Sequence, residues 1–213
     1  MALDSTELTN KVLDAISQNV DGNGLPIPAP TEMQEYCSGI VAALKSAVVS
    51  HAPGTITGTT APGAPLSNGA GSAGIIVITP APMIAKTTKA MPDSPKIITE
   101  NTALIQYIGT GLVAFAAGNI TGNCTSTPIN PGPLVNGAGS AGTIMGLTGV
   151  ACAGAVAAAT GLAGPEMITI YTVIMDYISQ NAEVSYAAGT VQGTCPAGGG
   201  PLAGGFASGG VIS

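Results

Sequence analysis

The sequence comprises 213 residues, 46% of them hydrophobic and only 8% charged, with five lysines, no arginine and a net charge of −6. That set cannot build the basic surface a nucleic-acid backbone requires. A chain so poor in charge must also bury much of its surface, internally or against partners, where a disordered chain would stay solvated. Gly (31) and Pro (16) are abundant, while Tyr and Phe number five and two and Trp is absent. Large aromatic anchors are therefore scarce, and small side chains in close packing must carry the core.

Residues 1–8 lack the basic start and apolar core of a secretory signal, which predicts synthesis in the cytoplasm without classical export. Residues 5–20 read as a helix with Leu8, Val12, Leu13 and Ile16 on one face, broken by the Gly/Pro tract 22–30. A second helix is predicted over 31–50. Thr31 caps it, Glu32 and Glu35 sit near the positive end of its dipole, and Met33, Tyr36, Ile40, Ala43, Leu44 and Ala47 recur at spacings of three and four. Residues 54–60 read as a brief strand. A Pro-rich loop and the glycine-rich phrase 65–74 follow.

Lys86, Lys89 and Lys96, interrupted by Pro92 and Pro95, read as a solvated linker, with a docking patch for an acidic partner as the alternative. The third helix is predicted over 99–118, where Gly109 and Gly111 each weaken it by about 1 kcal/mol relative to Ala. Thr99-Glu100 precedes Pro133 by the same interval as Thr31-Glu32 precedes Pro65. A strand at 118–124 and the phrase 133–142 come next. No charge occurs between Glu100 and Glu166, and inside that gap 143–160 approaches the length of a membrane span. It consists mainly of Ala, Gly and Thr without a basic flank, so a buried hairpin or helix within an assembly is expected and membrane contact stays open. A helix over 165–188 opens with Pro165 in its first turn. A strand at 189–195 and a degenerate phrase at 201–210 end the chain.

The phrase at 65–74 returns at 133–142 with one change, Val135 for Ser67, and more loosely at 201–210, so that its starts at Pro65, Pro133 and Pro201 are evenly spaced. Internal repetition at fixed spacing makes the chain copies of one unit. The predicted organisation is an N-terminal helix and linker (1–30), repeat unit 1 (31–98), repeat unit 2 with its small-residue apolar segment (99–164) and a truncated repeat unit 3 (165–213). The predicted fold class is mainly α with short β segments and long Gly/Pro-rich loops, as three degenerate helix–strand–loop repeats. Three units per chain also permit pseudo-threefold packing.

Chemistry-bearing constellations are sparse. Gly69 to Gly74 and Gly137 to Gly142 follow loops where a dinucleotide fingerprint follows a strand, and neither copy has the Lys-Ser/Thr of a phosphate loop. They read as places where backbones approach closely. Cys37, Cys124, Cys152 and Cys195 lack zinc spacing. Buried thiols and structural disulfides both fit, Cys124 and Cys195 being equivalent positions where the first copy has Thr60, but pairing is not readable from sequence. His51, the single histidine, reads as a charged cap at a helix end. Asn119 and Asn123 fit glycosylation spacing by coincidence. No nucleophile elbow or metalloprotease helix occurs. No catalytic, cofactor-binding or metal residue is predicted, no cofactor, and no enzyme activity.

These features predict a structural subunit of a large assembly whose partners are itself and other structural proteins of the same particle. A membrane-associated or pore-forming envelope protein is the alternative. In composition and repetition the chain is similar to small structural proteins of bacteriophage particles or contractile injection devices. That resemblance implies a neck, tail or baseplate component of a virion or particle assembled in the host cytoplasm.

Overall fold

Val48 to Ser50, Leu112 to Phe115 and Glu183 to Tyr186 alternate between buried and half-buried or exposed side chains, a period of two that ends each preceding helix. The computed structural model describes residues 3–17, 30–90, 95–162 and 164–213. Its chain runs three times through a helix pair and a long β-hairpin. The first cycle is α1 (Ser5–Ser17), α2 (Pro30–Ser46), β1 (Val48–Thr60) and β2 (Ser67–Val77). The second is α3 (Ala81–Ala90), α4 (Pro95–Ile108), β3 (Leu112–Cys124) and β4 (Gly132–Met145). The third is α5 (Gly149–Thr160), α6 (Pro165–Asn181), β5 (Glu183–Cys195), the short β6 (Gly200–Pro201) and β7 (Ala203–Ile212). The helices gather into one compact unit and the strands into another, each drawn from three separate stretches of chain.

The architecture corrects the mainly-α expectation. Among the described residues it is a mixed α/β fold of six helices and a closed six-stranded barrel, in which β1, β2, β3, β4, β5 and β7 follow one another antiparallel and β7 returns to β1. The glycine-rich phrases expected to be loops are the strands β2, β4 and β7. The helices expected to reach 50, 118 and 188 stop at Ser46, Ile108 and Asn181, and the brief strands are each 13 residues long. What recurs is helix pair plus hairpin, not helix–strand–loop. Residues 86 and 96, expected in a linker, lie exposed on α3 and α4; Pro92 and the tract 22–29 fall outside the described residues. The segment 143–160 is divided between the end of β4 and α5, and among the described residues no helix is long and apolar enough to cross a membrane.

Side chains fill the barrel in layers that repeat from hairpin to hairpin. Val49, Val113 and Val184 pair across strands with Ile76, Ile144 and Ile212, and all six are buried. Fully burying such a side chain stabilises by about 1.5–3 kcal/mol. The next layer sets the rings of His51, Phe115 and Tyr186 against Gly74, Gly142 and Gly210, where any added Cβ would run into the ring. Ile56, Ile120 and Val191 then face Gly71, Gly139 and Ala207. Leu66, Leu134 and Leu202 lie over Gly58, Gly122 and Gly193. In these last three layers large residues meet small ones across the strand pair, which lets a narrow barrel close without overpacking. At its last layer a disulfide joins Cys124 of β3 to Cys195 of β5, strands that are not neighbours, while the equivalent Thr60 donates its hydroxyl to the Gly200 carbonyl at 2.8 Å.

The repeated wording of the phrase also has a backbone reason. Asn68 and Asn136 have φ of 51° and 52°, and Ala73 and Ala141 have 54° and 53°; the third copy puts Gly204 and Gly209 at these two places, with φ of 58° and 73°. The left-handed region costs an L-residue roughly 1–2 kcal/mol, so the loosest copy departs from the other two where glycine relieves that cost. Register breaks between Ser50 and Ile56, Ala114 and Ile120, and Ser185 and Val191 mark bulges in β1, β3 and β5. Such bulges bend strands enough to close a narrow barrel.

In the helical unit each helix packs on its chain neighbours and α6 returns to α1, which closes a ring of six. Leu8, Ile40, Leu44, Met83, Leu104 and Ile174 are fully buried in it. Tyr177 fastens the closure: its hydroxyl donates to the Asp4 carbonyl at 2.9 Å and accepts from the Asp4 N–H at 2.8 Å. The Asp4 carboxylate in turn accepts from the N–H groups of Glu7 and Thr6, which caps α1 and lowers its pKa.

Candidate functional site

In each cycle the second helix leads directly towards a strand, so strand starts give a common register. Tyr36, Glu100 and Tyr171 each precede the strand starts Val48, Leu112 and Glu183 by the same interval. These three equivalent positions meet inside the helical unit. The Tyr171 hydroxyl donates to Glu100 Oε1 at 2.9 Å, and the Tyr36 hydroxyl reaches the same oxygen at 3.5 Å. Oε2 of Glu100 accepts no hydrogen bond among the described residues. Tyr171 is 1% exposed. Burial first, then the charges around them, push both phenols well above the ordinary tyrosine range, so both stay protonated donors.

Beside this triad lies a pocket of about 190 Å³. Met33, Ile97, Met167 and Ile170 give it apolar walls, and Glu32 and Glu35 add two further carboxylates. Among the described residues none that lines it is basic. Thr87 lines it too, fixed by accepting a 2.7 Å hydrogen bond from Asn101 Nδ2, while Asn101 Oδ1 is buried without a partner. The acids expected to favour the α2 dipole thus also face a cavity. Glu100, expected as the counterpart of Glu32, is the counterpart of Tyr36.

The barrel carries a second set of three equivalent positions, His51, Phe115 and Tyr186, each at the same offset from its strand start. Their ring centroids are 5.5 to 5.7 Å apart in all three pairs. His51 Nδ1 and the Tyr186 hydroxyl share a 2.8 Å hydrogen bond, and His51 Nε2 is buried without a partner. The expectation of a charged His51 capping a helix is corrected: it is a strand residue, 2% exposed, and burial lowers its pKa. With its rings packed against Gly74, Gly142 and Gly210, this layer has the geometry of packing.

Cys37 and Cys152 are buried free thiols, and burial raises their pKa to about 11 and about 12. Neither is poised as a nucleophile. Among the described residues no group of three or more His, Cys, Asp or Glu side chains could hold a metal ion. Comparison with known proteins gave no matching family model, no matching curated protein and no matching solved structure.

Proposed function

We propose that this chain is a structural subunit of a large assembly, a component of a virion or tail-like particle that works through protein–protein contacts. The observation that carries the reading is an apolar girdle on the outside of the barrel. Val211 of β7, Val48 of β1, Ile75 and Val77 of β2, Leu112 of β3 and Met145 of β4 lie on consecutive strands, each 47% to 61% exposed. Cross-strand pairing makes them contiguous: Val48 faces both Val77 and Val211, and Leu112 faces both Ile75 and Met145. A continuous band of large apolar groups on a chain with 8% charged residues suits burial against another protein. Covering the exposed half of each would stabilise a complex by on the order of 1 kcal/mol per residue.

A rigid barrel suits such a joint, since it presents the band without ordering costs on binding. The disulfide suits a particle that leaves the reducing cytoplasm after assembly. The role asks for no catalytic residue. Replacing Val48, Leu112 and Met145 together by Thr keeps strand propensity and leaves the inward layer untouched. The variant is expected to fold with an unchanged melting temperature and to lose incorporation into particles. Full incorporation of the folded variant would sink the proposal.

A further inference from the structure

The helical unit holds a site that an assembly role does not use. We infer that the pocket between α2, α4 and α6 binds a small organic ammonium ion with an apolar body, its cation on Glu100 and its body between Met33, Ile97, Met167 and Ile170. Three features converge on that ligand class. The carboxylate is oriented: two tyrosine hydroxyls engage Oε1, and Oε2 accepts nothing from the described residues. Among the described residues the lining carries three carboxylates and no cation, which disfavours an anion and favours a cation. The walls are methionine and isoleucine, so a fully hydrated metal ion gains nothing from them, whereas a carbon skeleton does.

Size narrows the class. An apolar cavity of about 150 Å³ accommodates a benzene ring, so about 190 Å³ fits one ring or a comparable aliphatic body with a one-carbon ammonium arm. Tyr36 also lines the pocket, and an aromatic ring beside a carboxylate suits an organic cation. Met167 and Ile170 are half-buried, so the pocket opens to a ligand without unfolding.

Benzylammonium chloride is the probe, with benzyl alcohol as its neutral counterpart of similar shape and phenylacetate as the anion. Titration calorimetry on the full chain at pH 7 is expected to give a dissociation constant in the millimolar range or tighter for benzylammonium. Benzyl alcohol should bind about tenfold more weakly, and phenylacetate not measurably. Glu100→Gln preserves the side-chain shape and should weaken benzylammonium about tenfold while leaving benzyl alcohol unchanged. Absence of benzylammonium binding, or equal binding of the amine and the alcohol by the wild-type chain, overturns the proposal. The wild-type amine-to-alcohol ratio is decisive even if the Gln variant fails to fold. Particle incorporation plays no part in this test, so the two proposals fail separately.

Discussion

The barrel and the helical unit solve the same problem in different ways. Each must bring three near-equivalent stretches of one chain together at a common centre. In the barrel that centre is filled: His51, Phe115 and Tyr186 each cover a glycine and contact one another, and a disulfide ties the last layer. In the helical unit the centre holds Tyr36, Glu100 and Tyr171, and beside them space remains. The difference follows from side-chain economy. Rings over glycines close a gap between strands a few ångströms apart, whereas one carboxylate between two phenols cannot fill the wider space among helices and brings a polar group that must be satisfied. Packing is complete where the repeats differ only in ring chemistry, and a cavity persists where one of them contributes a charge.

The largest effect expected from breaking this contrast is loss of the cross-link. The disulfide spans a sequence separation of 71, and chain entropy assigns such a loop about 4 kcal/mol. Changing Cys124 and Cys195 to Ser should lower the urea midpoint accordingly. Hydrogen exchange should rise more along Glu183–Cys195 than along Pro165–Asn181, and equal rises would mean that the two units do not differ as described. Next comes Gly139→Val, whose Cβ would lie 2.9 Å from Ile120 Cδ1 and 3.1 Å from both Phe115 and Tyr186. Overpacking there should cost about 3 kcal/mol or prevent barrel closure, read as a lower melting temperature or as insoluble protein.

Gly154→Ala is the helical counterpart with the opposite sign. That glycine is exposed on α5 and an added Cβ meets nothing within 4 Å, so helix propensity alone should raise stability by about 1 kcal/mol. The smallest effect is one of pH. Burial holds the His51 pKa below its ordinary value of 6.5, so the unfolded chain takes up the proton more readily than the folded one. Barrel stability should be full above pH 6.5 and decline as the pH falls from there towards the lowered folded-state value. His51→Phe, which copies Phe115, should flatten that part of the stability–pH profile; an unchanged slope would assign it to other groups.

How much of this is legible in the sequence depends on whether the signal is local. The starts of α2 and α6 are readable from Glu32, Pro165 and the apolar spacing behind them, because capping and helical periodicity operate within a few residues. The barrel is not. Along β2, β4 and β7 most inward positions are glycine or alanine, as at Gly69, Gly71 and Gly74 before Ile76, so a hydropathy pattern of period two disappears. The sense of Gly142 lies in Phe115, on the preceding strand. The candidate pocket escapes sequence reading through register. Aligning the helices on the evenly spaced phrases pairs Glu100 with Glu32. The strand starts Val48 and Leu112 lie closer together than the phrase starts Pro65 and Pro133, and they pair Glu100 with Tyr36 instead. The helix pairs are half visible: α3 reads as linker because of Pro92 and Pro95, and α5 is so uniform in Ala and Gly that it has almost no amphipathic face. Equivalence of Cys124 and Cys195 is readable, but their pairing needs the barrel that brings their Cα atoms to 5.8 Å.

The central claim is that the chain works as a joint in a larger structure, and the mass of its native complex tests this most directly. Native mass spectrometry of material isolated from the source, with the partner proteins identified in the same preparation, is expected to find the chain at fixed stoichiometry in a particle many times the 20.6 kDa of one chain. A single chain recovered as a soluble, unpartnered monomer would contradict the claim.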